Sequence, residues 1–360
     1  MVRDRAQQDD GAHERYRATR HFASLDGLRC LAVLPVIWHH STPRPLPGIA
    51  GKGPVGVDLF FCISGFLIST LLLREKERTG TLALGAFYVR RALRIWPLYY
   101  LLLVAYAVFA FALSPASPQR AHFFHSLPLY ATFTANWFAD FGVPHPILFA
   151  FAWSLCIEEQ FYAFWPWCVR YCSRRGAFLI MCLLIACDWL AERGALGAWI
   201  GSSGLRIVTS FAAPIGLGSV LALLLDSQRG FAVLRRFLGY SPSAPLALGV
   251  VFALLFWPGA PLVAFQAGLA ALVGACVIGE QHGLAALLRL CPVAYLGSIS
   301  YGLYLLNSTA IGALRRLVPA HAGDAGFVFF WALPATIGLA ALSHHFLEAR
   351  FLRLRARFQR

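Results

Sequence analysis

Apolar residues fall along this chain in long blocks, separated by short polar, basic or glycine- and proline-containing stretches. The blocks include 97–113, 177–191, 207–225, 246–257, 262–279, 293–311 and 327–347. About 20 apolar residues, coiled as a helix, match the roughly 30 Å hydrocarbon thickness of a bilayer, and shorter blocks read as tilted, shared or core helices. The pattern predicts an all-α, polytopic transmembrane helix bundle with about ten spans. They are placed near 25–41, 55–73, 95–113, 151–169, 177–191, 207–225, 246–257, 262–279, 293–311 and 327–347. The short seventh block, the Pro258–Pro261 break after it and segment 122–138 interrupt this regularity. That segment, HFFHSLPLYATFTANWF, is aromatic enough for a re-entrant or interfacial element. No repeat or low-complexity linker divides the chain. One membrane domain is therefore expected over 25–348, between a cytoplasmic N-terminal tail (1–24) and a basic cytoplasmic C-terminal tail (349–360).

Composition points the same way. Of 360 residues, 58% are hydrophobic and 13% charged, against about 25% charged in soluble domains. The net charge of +14 would suit nucleic acid, but its distribution argues otherwise. With both termini cytoplasmic, 24 of the 31 Lys and Arg fall in inner segments. The outer ones are Arg44, Lys52, Arg120, Arg193, Arg206, Arg315 and Arg316. This is the positive-inside bias, so the basicity reports orientation and no nucleic-acid partner is expected. The first 24 residues hold no apolar core of a cleavable signal, so the first span is expected to be an uncleaved anchor. Nine cysteines sit mostly within apolar blocks without a CxxC pair, which suits buried free thiols rather than disulfides or a metal site.

Charged side chains inside spans are costly and so face a cavity, pair, or work. The first span carries Asp26, Arg29, His39 and His40. The steps from Arg29 to His40 turn a helix by about 1100°, placing both on one face roughly 16 Å apart along the axis. Asp26 is positioned to pair with Arg29. His40 then reads either as a deep imidazole on a working face or as a cap of the span. GVDLFFCISGFLIS (56–69) brings Asp58 to the level of His40. A carboxylate there could hold one imidazole tautomer, or satisfy N–H groups at its own helix start. Ser64 and Gly65 read as close-packing residues.

In WSLCIEEQFYAFWPW (153–167), Ser154, Glu158 and Tyr162 recur at i, i+4 and i+8 on one face, while Glu159 points elsewhere. A buried Glu158 could act as acid or base. YVRRALRIWPLYY (88–100) brings Arg91 and Arg94 to one patch at the membrane surface. Guanidinium forks suit phosphates, and they also anchor loops. No glycine-rich P-loop, HExxH or GxSxG occurs, which removes nucleotide hydrolysis, zinc-protease and α/β-hydrolase readings.

Taken in order, these segments resemble the acyltransferase-3 family of integral-membrane acyltransferases, over about residues 22–355. LDGLRCLAVLPVIWHH resembles the first family helix, whose Arg, ten residues, then His fall on Arg29 and His40. GVDLFFCISGFLIS resembles the second, RRALRIWPLYY the RxxR element, and WSLCIEEQFY the Ser-Leu-x-x-Glu motif. LGSISYGLYLLNS (296–308) and ALSHHFLEARF (341–351) resemble the late motif and the closing helix. The chain departs from the family at Leu306 and Asn307, where Trp-His is usual, and after Glu348, where Glu-x-Pro is usual.

The resemblance implies transfer of an acyl group, most often acetyl, from cytoplasmic acyl-CoA to a carbohydrate hydroxyl, with acetyl-CoA as co-substrate and no metal. It implies CoA phosphates on Arg91 and Arg94 and the pantetheine arm beside Arg29. His40 would be general base or transient acyl carrier, with Asp58 or Glu158 orienting it or stabilising its charge. Substrate contacts would fall on Ser154, Tyr162, Tyr301 and Asn307. The expected partners are acyl-CoA, a glycan or other hydroxyl-bearing acceptor, and the lipid bilayer of a bacterial inner membrane. Two other readings of the same residues stay open. One is a proton-coupled transporter or flippase with His40, Asp58 and Glu158 as a relay, and the other is polar helix glue in a structural subunit. The outer loop 114–150, with His122, His125 and Asn136, reads as an acceptor gate or as an aromatic interface segment.

Overall fold

A computed structural model of the chain describes residues 2–42, 54–112, 116–139, 149, 151–196 and 204–358. Among these residues it is all-helical, with no strand. The helices are α1 (Val2–Ala18), α2 (Ala23–Ser41), α3 (Pro54–Thr79), α4 (Leu84–Ala112), α5 (Pro118–Ala131), α6 (Ala135–Phe138), α7 (Ala152–Tyr171) and α8 (Arg174–Glu192). There follow α9 (Ala213–Asp226), α10 (Gln228–Leu238), α11 (Ser243–Phe256), α12 (Leu262–Ile278), α13 (Ala285–Leu288), α14 (Cys291–Ser298), α15 (Ser300–Leu317), α16 (Ala325–Ser343) and α17 (Ala349–Ala356).

Each block expected to span falls on a helix or on two helices in close succession. By length and composition, four helical segments can cross a membrane: Val55–Thr79, Leu84–Ala112, Gly204–Asp226 and Ala325–Arg355. Two bent pairs, Asp10–Ala18 with Ala23–Ser41 (66°) and Gln228–Leu238 with Ser243–Phe256 (74°), raise this to six. The count stays below ten because several apolar helices are short. Leu262–Ile278 has 17 residues, under the roughly 20 that cross 30 Å. Arg44 and Lys52, assigned above to an outer segment, lie outside the described residues.

A close seam joins α3 to α9. A Cβ on Gly65 would lie 1.9 Å from the Ile215 carbonyl oxygen, and one on Gly218 would lie 2.0 Å from that of Cys62. Only residues without a Cβ let two backbones come this close, as at other membrane helix interfaces. The polar ends are tied down as well. Lys76 Nζ donates to the Val169 and Cys172 carbonyls at 2.6 and 3.2 Å, filling acceptors that the end of α7 leaves without intrahelical partners. The N-terminal segment folds back as α1. There His13 Nε2 donates to the Leu225 carbonyl at 3.1 Å, and buried Tyr16 packs against Phe231.

Segment 122–138 forms α5, α6 and their link, which are too short to cross. Tyr99 and Tyr100 hydroxyls donate to the Tyr130 and Ala131 carbonyls, both at 2.8 Å. Asn136 and Gln160 exchange amide bonds at 3.0 and 2.8 Å, so Asn136 fastens this segment to α7. All nine cysteines are free, and five of them are buried.

Candidate active site

A cavity of about 220 Å³ lies among α2, α3, α4, α7, α15 and α17. Helical phase decides what faces it. On α3, Val57, Phe60, Ser64, Leu67 and Leu71 line it, a stripe at the three- and four-residue spacing of one helix face. Gly65 lies on the other side, against α9. The α7 stripe of Ser154, Glu158 and Tyr162 faces the cavity, as do Arg29 from α2, Arg91 and Arg94 from α4, and Tyr301 and Tyr304 from α15. The expected inner loop before the third span is mostly helix, so Arg91 and Arg94 sit within the 29-residue α4.

The lining carries six arginines (20, 29, 74, 91, 94 and 355) against two carboxylates, Asp26 and Glu158. Some of this charge has protein partners. Arg29 Nη1 donates to Asp26 Oδ1 at 2.9 Å, and His21 Nε2 meets Asp26 Oδ2 at 2.9 Å. Arg74 is a brace, donating to the Thr19 and Tyr16 carbonyls at 2.5 and 2.8 Å. Arg91 is different, because its buried Nε has no hydrogen-bond acceptor among the described residues. Its guanidinium lies over the rings of Phe87 and Tyr162, 5.7 and 6.0 Å from their centroids.

Glu158 Oε1 accepts from Ser64 Oγ at 2.7 Å. Ser64 therefore belongs to the site and not only to packing. Its signal in the sequence was the helix face it shares with Val57, Phe60 and Leu71. Glu159 does turn away, accepting from Trp96 Nε1 at 3.1 Å. Tyr301 donates to the Ile95 carbonyl at 2.6 Å. The Ser154 hydroxyl is committed to the Phe151 carbonyl at 3.1 Å, so Tyr304, 2.6 Å away, is the donor of their mutual bond.

His40 and Asn307 do not line this cavity. They form a second cluster at the far end of α2, with His40 Nδ1 2.6 Å from Asn307 Oδ1. Asn307 Nδ2 donates to the Tyr304 and Leu303 carbonyls at 2.5 and 3.3 Å. Tyr304 thus links the two parts: its ring hydroxyl meets Ser154 at the cavity, and its carbonyl holds the amide that holds His40. Arg315 Nη2 donates to the His40 and Ser41 carbonyls at 3.4 and 3.0 Å, closing the end of α2.

Asp58, expected beside the imidazole, corrects that expectation: Asn307 holds the Nδ1 position. Asp58, Cys62 and Gly65 share one face of α3, and that face packs on α9. Asp58 accordingly lies in the field of Asp188 and Glu192 on α8. Asn307, expected to contact substrate, contacts His40 instead.

A family profile described as an acyltransferase domain matches residues 22–345. The chain is 36% identical over 154 residues to the peptidoglycan O-acetyltransferase OatA of Listeria monocytogenes, a match covering 41% of this chain and 24% of that one. It is 38% identical over 160 residues to a putative O-acetyltransferase of Staphylococcus aureus, covering 42% and 25%. The putative peptidoglycan O-acetyltransferase YrhL of Bacillus subtilis is 29% identical over 367 residues, covering 91% and 54%. The chain thus spans between a quarter and about half the length of these relatives. No solved structure gives a significant match. A profile matched across nearly the whole chain settles membership: this protein belongs to the acyltransferase-3 family.

Proposed function

We propose that the protein is a membrane O-acyltransferase that moves an acyl group, most often acetyl, from acyl-CoA to a hydroxyl of a cell-surface polysaccharide. The observation that carries this reading is the cationic cavity lined by Arg91, whose buried Nε has no acceptor among the described residues. A buried guanidinium lacking its hydrogen bonds is costly, and a phosphorylated donor offers the acceptor it lacks. The acceptor class is taken from relatives named as peptidoglycan O-acetyltransferases.

Arg91 and Arg94 would hold the phosphates of CoA, and Arg29, kept in place by Asp26, would flank the pantetheine arm. Glu158 and Ser64 would line the approach of the thioester. The acyl carbon would have to pass the Ser154–Tyr304 pair to come within reach of His40. His40 Nε2 then takes the proton of the acceptor hydroxyl while its oxygen attacks the thioester carbonyl. The C–S bond breaks, and the proton on the imidazolium returns to the departing CoA thiolate. Asn307 would hold the imidazole in the tautomer that leaves Nε2 as a base.

We read the ten apolar helical segments as crossings of a bacterial cytoplasmic membrane, the shorter ones matched by local thinning of the bilayer, with the Lys/Arg-rich segments inside. The donor end of the cavity, near both termini, then faces the cytoplasm. Inverted membrane vesicles given acetyl-labelled CoA test the function. Wild type should consume thioester and label polysaccharide, and His40→Ala should do neither. Equal labelling by both proteins would remove His40 from the chemistry.

A further inference from the structure

Resting on the acyl-CoA reading above, we propose that Arg355, on the C-terminal helix α17, binds the adenosine-end phosphates of the donor together with Arg94. The sequence places Arg355 in a basic tail that reads as positive-inside anchoring. The structure brings it back onto the bundle, where α17 packs along α4 and Arg355 joins the cavity lining.

A π-helical turn at His344–Glu348 precedes α17. Such a turn adds a residue to the helix and changes which face the following segment presents. After it, Arg355 faces the cavity. Arg353 remains exposed, its Nε donating to the carbonyl of Ala349 in its own helix at 3.3 Å.

Arg355 lies in the field of Arg94 and Arg90. Arg90 is neutralised by Glu75, whose Oε2 is 3.0 Å from its Nη2. Arg91, Arg94 and Arg355 form no ion pair with a carboxylate among the described residues. Grouped cations repel one another, and an anionic occupant relieves that repulsion. The position along the cavity selects the part of the ligand. Ser154 and Tyr304 mark the end linked to His40. Arg355 belongs to the opposite end, beside Arg90, which lies one helical turn before Arg94 towards the start of α4. A donor with its thioester directed at His40 would have its phosphorylated adenosine end here.

The test uses the full chain purified in detergent and titrated calorimetrically with adenosine 3′,5′-bisphosphate. Arg355→Gln should weaken binding about 10- to 100-fold, the scale of one hydrogen bond to a charged group. Arg355→Lys should recover part of the loss, and Arg353→Gln should match wild type. Turnover of acetyl-pantetheine, which lacks all the phosphates, should be equal in wild type and Arg355→Gln. That equality also shows that the variant is folded. Unchanged binding by Arg355→Gln, or equal weakening by Arg353→Gln, would overturn the proposal while leaving the donor reading intact. If wild type bound neither the bisphosphate nor acetyl-CoA, the donor reading would fall, and this inference with it.

Discussion

Asn307 Oδ1 lies 2.6 Å from His40 Nδ1, and the other end of the same amide is committed to the carbonyls of its own helix. Those two bonds decide which way the amide faces, because only its NH₂ end can donate to a carbonyl. The oxygen must therefore face the imidazole and accept from Nδ1–H. This leaves the lone pair on Nε2, the arrangement a general base requires. A neutral amide in the orienting position fixes the tautomer without adding charge beside it.

From this relationship, His40→Ala should lower turnover by about 10²–10⁴, the usual worth of positioned proton transfer. Asn307→Ala keeps the base but frees the ring, and a smaller loss of about 10- to 100-fold is expected. The Michaelis constant for acetyl-CoA should be unchanged in both. Initial rates in vesicles measure these quantities, and a full-rate Asn307→Ala enzyme would deny the orienting role.

Ser64 and Glu158 should behave as a coupled pair. Ser64→Ala leaves Glu158 Oε1 without its donor, costing about 1–3 kcal/mol. In a Glu158→Gln background the same change should cost less, with a coupling of about 0.5–3 kcal/mol. Thermal unfolding of the four proteins in detergent completes the cycle. Additive losses would mean the 2.7 Å contact carries no energy of its own.

Arg91→Gln and Arg94→Gln should each raise the Michaelis constant for acetyl-CoA about 10- to 100-fold, with a smaller effect on turnover number. Rates as a function of donor concentration separate the two parameters. A change confined to turnover number would move these arginines from donor binding to the chemical step.

The seam between α3 and α9 gives a prediction about stability. Gly65→Ala and Gly218→Ala each place a methyl group about 2 Å from a carbonyl oxygen of the facing helix. Each should destabilise the fold by about 1–3 kcal/mol as an overpacking change. Gly249→Ala on α11, where a Cβ would meet nothing within 4 Å, is the matched control and should unfold no earlier than wild type.

The helices and one-helix stripes were legible because they depend on spacing within a single element. The Asp26–Arg29 pair, the shared face of Ser154, Glu158 and Tyr162, and the outward turn of Glu159 all follow from the rotation per residue. Where two helices had to be related, the sequence was weaker. Antiparallel spans suggest one level for Asp58 and His40, yet Gly56 packs on Ala32 and Val36, and Asp58 is on the α9-facing side of α3 and cannot share the imidazole. Ser64 and Gly65 are neighbours in sequence and looked alike as small residues. The rotation between them sends Ser64 to the cavity and Gly65 to the seam.

By itself, then, the sequence determined that the chain is a helical membrane protein of this family, and which residues share a face on each helix. Local periodicity and the cost of charge in an apolar medium suffice for that. Only the tertiary structure decided who meets whom. Asn307 reached His40 from 267 positions away, Ser64 reached Glu158 from 94, and Arg355 returned to the cavity from the far end of the chain. Those meetings depend on the relative rotation and depth of packed helices. Side-chain packing across the whole bundle sets both, and no single stretch of sequence records it.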